Sequence, residues 1–249
     1  MSDEGRRAPG TPDEHDGIQD AVGWMLAGRC VLFDFDGPLC RLFPDRSSAP
    51  VARELRDILD GEGAGSLLDD DERESIDPHV VLRAVDRERR GSPLVARLEE
   101  RIAERETEAA ATAWPTPAAD LLVHGLSEAG VRLAVTTNNA PVAVDVYLRR
   151  AGLARFFGSH VYGRTGDPRL MKPDPHCLYR ALDGLRAPAD DAVLIGDTVT
   201  DLLAAREAGV RFVGYARNER KAAPLRKAGA GLVVHRLEPL VDAVTSHSS

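Results

Sequence analysis

Asp34 and Asp36 stand one residue apart, directly after the apolar run Val31-Leu32-Phe33 and just before Gly37. An apolar run ending in carboxylates has the pattern of a buried parallel strand whose C-terminal end carries chemistry. Side chains alternate along a strand, so the two aspartates start on one side, with Phe33 and Phe35 on the other. Gly37 permits a sharp turn or a close backbone approach to a ligand. Two carboxylates this close repel each other unless a cation or a shared proton lies between them. A single aspartate there would read as an ordinary solvated strand end; the pair followed by glycine points to a reacting centre.

Three other segments carry matching chemistry. Residues 192–195 form a second short apolar run, followed by Gly196, Asp197 and Asp201. Thr200 is placed to cap the helix that begins there, with Asp201 in its first turn and Gly209 closing it in the left-handed conformation. Such hard oxygen ligands suit Mg²⁺. Residues 131–138 read as a strand ending in Thr136, Thr137 and Asn138, whose hydroxyls and amide can bind phosphate oxygens or serve as turn residues before Pro141. Residues 171–175 place Lys172 in a proline-stiffened loop, as a compact cation able to bind phosphate and offset clustered carboxylates. Alone, each segment reads as a cap, a turn or solvated surface.

These residues need a scaffold that brings distant strand ends together. Residues 1–16 are charged and contain Gly and Pro, which predicts a disordered tail. Ile18, Val22, Met25 and Leu26 then fall at helical spacing, predicting an amphipathic helix packed on the core. After Leu39 the strand rhythm stops until Val131. Residues 50–60 place Val51, Leu55, Ile58 and Leu59 on one helical face. Asp77-Pro78 opens a second helix ended by Gly91, and Ser92-Pro93 opens a third with Leu94, Leu98 and Ile102 aligned. Residues 61–75 read as a mobile, Gly-rich and acidic connection. The interval 43–113 is thus an all-helical insertion, and Trp114-Pro115-Thr116-Pro117 its return hinge. Beyond it, helices at 118–129, 141–151 and 176–185 alternate with strands at 131–136, 160–162, 193–195, 211–215 and 232–234. That rhythm predicts an α/β fold, a doubly wound, mainly parallel sheet with helices on both faces, built from 17–42 and 114–249. Ligands in such sheets bind beyond the carboxyl ends of the strands, where all four segments lie.

In this order the segments resemble the haloacid dehalogenase superfamily, in particular the phosphatase branch with a helical cap inserted after the first motif (the phosphoglycolate phosphatase and β-phosphoglucomutase type). The resemblance covers about residues 30–234 and rests on D-F-D-G-x-L and G-D-x-x-x-D, with a Thr and a Lys-Pro between them. It implies Asp34 as nucleophile and Asp36 as general acid/base. It makes Thr137, with Asn138 beside it, the second motif, Thr136 being the alternative one residue away. Lys172 matches the third motif, and Asp197 with Asp201 the fourth. Mg²⁺ is the implied cofactor, at Asp34, Asp197, Asp201 and the backbone near Asp36. One position departs from the pattern: Pro38 stands where the family usually has Thr, Val or Ile, removing a backbone donor and pushing Gly37 out of the α region. Asp36 itself argues against the dehalogenases that name the superfamily.

The function implied is a Mg²⁺-dependent phosphatase acting on a small phosphate monoester through an aspartyl-phosphate. A phosphomutase would use the same acids; a catalytically weak regulatory binder has only Pro38 and the N-terminal helix in its favour. Arg41, just past the first motif, faces the hinge and is a candidate for meeting an anionic leaving group or for a hinge ion pair; Arg164 and Arg169 are similarly open. Phosphoglycolate-like, sugar-phosphate and nucleotide monoester substrates all fit.

Composition narrows the setting. The chain has 249 residues, enough for one core domain and a modest second unit, and carries 32 basic against 40 acidic residues. With no aromatic-rich basic stretch, nucleic acid is not an expected partner, though a nucleotide could be a substrate. No apolar run is long enough for a membrane span and the N-terminus is polar rather than signal-like. Cys30, Cys40 and Cys177 are an odd, scattered set, which predicts reduced thiols and a cytoplasmic protein, monomeric or homodimeric.

Overall fold

The computed structural model describes residues 14–44 and 48–247. The predicted tail lies outside these residues except for its last three, which already belong to the first helix. In chain order, helix α1 (Glu14–Gly28) leads into strand β1 (Cys30–Phe33) and the short β2 (Cys40–Arg41). Helices α2 (Ala49–Gly61), α3 (Asp70–Glu74), α4 (Pro78–Glu88) and α5 (Pro93–Ala110) form the insertion, and β3 (Trp114–Pro115) returns from it. Then come α6 (Ala119–Glu128), β4 (Arg132–Thr136), α7 (Pro141–Arg150), α8 (Ala154–Phe157), β5 (Val161–Tyr162) and α9 (His176–Leu185). The chain ends with β6 (Ala192–Gly196), α10 (Val199–Ala208), β7 (Arg211–Tyr215), α11 (Glu219–Lys227), β8 (Val233–Val234) and α12 (Glu238–His247).

Six strands make one parallel sheet in the order β5-β4-β1-β6-β7-β8. The chain runs outward through β1, β4 and β5, then crosses back to lay β6 against β1. The order therefore reverses beside β1, and the carboxyl ends of β1, β4 and β6 open onto that crevice, where open α/β sheets bind ligands. Alternation assigns the side chains of β1 to opposite faces: Val31 and Phe33 join the apolar layer of α1, α6, α7 and α12, whereas Cys30 and Leu32 join that of α9 and α10. Phe35 follows Phe33 into the first layer and meets Tyr147 edge-on at 5.5 Å. All three cysteines are buried and free.

The insertion has its own apolar cluster, drawn from Val51, Leu55, Leu59, Leu82, Leu98 and Ile102 among others. Its helices start where the sequence suggests. Asp77 accepts the His79 N–H at 2.9 Å and Ser92 that of Val95 at 3.4 Å, each with proline in the first turn. The segment 61–75, read as a mobile connection, instead contains a 3₁₀ turn and α3. That short helix is held by a capping box in which Asp69 accepts from Glu72 N–H and Glu72 from Asp69 N–H. The acidic residues that suggested a loop are the ones a helix N-terminus favours. Helices α8, α11 and α12 were also not legible, the second being polar and containing Pro224. Both crossings into the insertion are joined by the antiparallel pair β2–β3, so the predicted hinge is a two-stranded ribbon. Among the described residues no helix is long and apolar enough to cross a membrane.

Helix α1 packs on the core as its apolar spacing predicts, with Ile18, Val22 and Met25 buried. Its end presses so closely on the chain entering β6 that a Cβ at Gly28 would collide with the Asp191 carbonyl. Gly28→Ala is therefore expected to destabilise the protein by about 1–3 kcal/mol, read as a lower urea midpoint at unchanged slope. An unchanged midpoint would show that α1 is loosely attached.

Candidate active site

Four of the predicted residues meet in one buried knot. Asp34, Asp197 and Asp201 each offer a carboxylate oxygen within 4.8 Å of the others. Lys172, only 2 % exposed, is threaded between them. Its ammonium donates to Asp34 Oδ1 at 2.8 Å and to the Thr136 carbonyl at 2.9 Å, and makes a still shorter contact with Asp201 Oδ1. Burial pushes the Asp34 carboxyl up to about 6, against the pull of Lys172 and with the help of Asp201. Burial also drives Asp197 up to about 8; Lys221 at 3.3 Å opposes this, while Asp34 and Asp201 add to it. Three converging carboxylates against the buried Lys172 and the more exposed Lys221 still leave a negative excess. An all-oxygen, hard donor set with that excess fits a divalent cation such as Mg²⁺.

Backbone geometry makes the knot possible. A Cβ at Gly37, which sits at φ +129°, would come within 2.6 Å of Asp197 Cγ, and one at Gly196 would come within 2.6 Å of Asp201 Cβ. The departure at Pro38 is absorbed by its neighbours: Gly37 N–H donates to the Cys40 carbonyl at 2.7 Å, and the N–H groups of Leu39 and Cys40 reach Phe35 O. Gly37 does lie outside the α region, as a following proline requires. The cap of α10 is Thr198 rather than Thr200. Thr198 is the extended residue before the helix and shares a capping box with Asp201, whereas Thr200 already lies inside the first turn. Asp201 Oδ2 accepts from Thr198 Oγ1 at 2.6 Å and from the N–H groups of Asp197 and Thr198, so the carboxylate is fixed at both oxygens.

The remaining candidates are placed differently from one another. Asp36 stands on the cavity wall outside the carboxylate cluster, and its Oδ1 accepts the Leu42 N–H at 2.9 Å. Its side chain thus lies apart from the three converging carboxylates, and burial raises its pKa above the usual carboxylate value. Thr137 lines the cavity and its hydroxyl exchanges hydrogen bonds with Asn139. Thr136 instead contributes its carbonyl to Lys172, leaving its own hydroxyl buried without a partner. Asn138 was read as a phosphate ligand, but both ends of its amide grip the Lys172 main chain: Oδ1 accepts its N–H at 2.7 Å and Nδ2 donates to its carbonyl at 3.1 Å. Its side chain braces the lysine loop. Arg41 stays at the hinge, stacked 5.3 Å over Trp114 and donating to the Pro44 carbonyl. Arg169 pairs with Asp167 at the surface.

A second knot joins the insertion to the loop after β4. Glu106 of α5 is buried and accepts from Asn139 Nδ2 and Ala140 N–H, both at 2.8 Å, and from both terminal nitrogens of Arg164. His79 of α4 lies 3.2 Å from it, and Glu99 of α5 takes the Arg164 Nε–H at 2.7 Å. Burial alone would raise Glu106, but the Arg164 charge and the His79 hydrogen bond hold it down at about 2. No local pattern marks Glu106 or His79; the sequence isolates only Arg164. Together the two knots wall a cavity of about 310 Å³ bounded by core strand ends below and Phe43, Val51, Ile76, His79 and Ile102 of the insertion above.

A carboxyl held far below its ordinary 4.5 stabilises the fold above that value, and the contribution fades as pH falls toward 2. Glu106→Gln is accordingly expected to cost about 3 kcal/mol at pH 7, with the gap to the parent narrowing as pH falls below 4.5. Urea unfolding of both proteins from pH 7 to pH 3 measures it; a gap constant with pH would remove Glu106 as the charged centre of this contact.

Comparison with known proteins gives the family. Residues 29–209 match the haloacid dehalogenase-like hydrolase family. A phosphoglycolate phosphatase of Rhodospirillum rubrum is 32 % identical over 204 residues, spanning 76 % of this chain and 81 % of that protein. One from Pseudomonas fluorescens is 28 % identical over 242 residues, spanning 88 % and 86 %. In fold, a variant of CbbY from Rhodobacter sphaeroides solved with xylulose-(1,5)bisphosphate superposes with a TM-score of 0.59 at 21 % identity, covering 84 % of this chain and 94 % of that one.

Proposed function

Because the chain belongs to the haloacid dehalogenase-like hydrolases and is a phosphatase of that family, we propose that it hydrolyses a small phosphate monoester through an aspartyl-phosphate on Asp34, with Mg²⁺ as cofactor. The observation that most supports this is the Lys172 ammonium bound both to Asp34, just past β1, and to Asp201, in the first turn of the helix that follows the neighbouring β6. Phosphoglycolate is the favoured substrate, since the two relatives named above carry that activity in their names. In this reading residues 43–113 are a cap over a core of 17–42 and 114–249.

Asp34 attacks phosphorus in line; the new bond forms at its carboxylate oxygen as the bond to the leaving oxygen breaks. Asp36, whose raised pKa favours the protonated form, gives its proton to that oxygen. The same carboxylate then takes a proton from water as the water attacks the phosphoenzyme, releasing phosphate and restoring Asp34. Lys172 and Thr137 hold the equatorial oxygens, where charge spreads in the transition state, each by exchanging a present partner for phosphate: Lys172 one of its carboxylate bonds, and the Thr137 hydroxyl its bond to Asn139 Oδ1. Asp34 and Asp197, with Asp201 and the Asp36 main chain in support, would hold Mg²⁺, which neutralises phosphate charge and lets the carboxylates ionise together. The cap excludes water from the reacting centre. The paired N–H groups around Pro38 remove the main argument for a catalytically weak binder.

EDTA-treated protein should be inactive, recover with Mg²⁺ and recover poorly with Ca²⁺, whose larger and looser shell disturbs the attack geometry. Full turnover by verified metal-free protein would sink the assignment.

The two aspartates separate cleanly with a good leaving group such as 4-nitrophenolate. Asp36→Asn should release about one equivalent per site and then stall, with label on Asp34. Asp34→Asn should form no phosphoenzyme. Steady fast turnover in the first variant, or label in the second, would reassign the roles.

A further inference from the structure

The cavity over Asp34 continues past Asp36 and Asp197 into a second chamber of about 290 Å³. The two share Asp36, Phe43, Ser48, Ile76, Asp197 and Lys221 as walls, so the second chamber adjoins the space over Asp34. Its far side is strongly basic: Arg41 from the hinge, and Arg217, Arg220 and Lys221 from the turn after β7 and the start of α11. Arg217 and Arg220 are exposed, and neither side chain has a hydrogen bond or an ion pair among the described residues. Arg41 keeps its Nε buried with no partner. Lys221 is paired with Asp197, and Asp36 stands on the near wall, but Arg217 and Arg220 have no ion-pair partner among the described residues, so an anion entering from the first cavity would meet two free guanidinium groups.

The insertion side of the first cavity offers no such group. Its one titratable cation, His79, is bound to Asp77 and Glu106, and Arg164 behind it is wholly engaged by Glu99 and Glu106. Lys172 is held by Asp34 and Asp201. A second negative group on the leaving alcohol would meet carboxylates toward the insertion and unpaired guanidinium groups toward α11.

We propose that Arg217 and Arg220, with Arg41 and Lys221 beside them, form a subsite for a second anionic group on the leaving alcohol, making the enzyme selective for phosphate esters that carry a further carboxylate or phosphate. The inference rests on the phosphatase reading above and assigns this selectivity to the core's α11 edge rather than to the insertion. Guanidinium suits either anion, because its planar fork binds both carboxylate and phosphate through two donors.

The test compares phosphoglycolate and fructose 1,6-bisphosphate with ethyl phosphate, which lacks the second anion. In the Arg217→Ala/Arg220→Ala protein, the ratio of kcat/KM for either ester bearing a second anionic group to that for ethyl phosphate should fall at least tenfold, mainly through KM. Arg217→Lys should recover part of that loss, and Arg217→Glu should deepen it. A fall for phosphoglycolate alone assigns a carboxylate subsite, and a fall for the bisphosphate alone a phosphate subsite. An unchanged ratio for both esters overturns the proposal. Binding is read separately by calorimetric titration of phosphoglycolate and of fructose 1,6-bisphosphate into Asp34→Asn, with and without the two arginine changes. At least a tenfold weaker Kd for one of them is expected, and equal values for both overturn the subsite even if no ester is turned over. Inactivity of the parent protein on all three esters would instead count against the phosphatase reading, leaving the titration to judge the subsite.

Discussion

Burying three carboxylates within 4.8 Å of one another is the constraint from which the rest of the site follows. Left alone, such a group would protonate or push the strand ends apart, because burial and mutual repulsion both disfavour its charge. Lys172 is the internal answer. Its ammonium is itself buried, and burying it is tolerable only because Asp34, Asp201 and the Thr136 carbonyl take up its donors. The loop bearing it must then be held rigidly, and Asn138 does this by gripping both the N–H and the carbonyl of Lys172. Parallel topology supplies the remainder, since only strands that all end on one edge can bring residues 34, 172, 197 and 201 together without a long buried loop.

Compensation inside the protein is incomplete, and the shortfall is chemically useful. Asp197 is pushed up to about 8 and Asp34 to about 6, so the carboxylates favour their charged forms fully only when further positive charge arrives. For groups raised in this way, folding stability is greatest below their ordinary acid range and is lost as pH rises through the folded values, unless a cation offsets it. A cation placed among them would offset that loss. Asp36 is raised by burial too, but it stands apart from the cluster, with its Oδ1 on the Leu42 N–H.

Much of this was legible along the chain because it is local. Apolar runs ending in Asp34-Phe35-Asp36-Gly37 and Gly196-Asp197 betray both strand and site, and proline-opened helices at Pro78 and Pro93 carry their caps beside them. What escaped is what depends on residues far apart. Glu106 looks like one more charge on an amphipathic helix until Arg164 and Asn139 arrive from the core. Asn138 carries the chemistry of a phosphate ligand and is diverted by a loop more than thirty residues away. Thr198 and Thr200 are equally good caps by type; the extended backbone at Thr198 (φ −121°, ψ 158°), with the helix starting at Val199, decides between them.

The insertion is tied to the catalytic loop more directly than a flexible linker would allow. Its two crossings pair as β2 and β3, and Leu42, one residue past β2, donates the N–H that orients Asp36. On the return crossing, Thr116 donates its hydroxyl to the Gly37 carbonyl at 2.5 Å and its N–H to the Leu39 carbonyl. Tyr147 of α7 holds the same Leu39 carbonyl from the core side at 2.9 Å. The loop that carries Asp36 is thus clamped between hinge and core. A rotation of the helical insertion about β2–β3 has to pull on Leu42 and Thr116, and so on the direction of the Asp36 carboxyl. The knot of Glu106, His79 and Arg164 fixes the far end of the same lever. The position of the insertion and the direction of the Asp36 carboxyl are therefore set by one connected group of contacts.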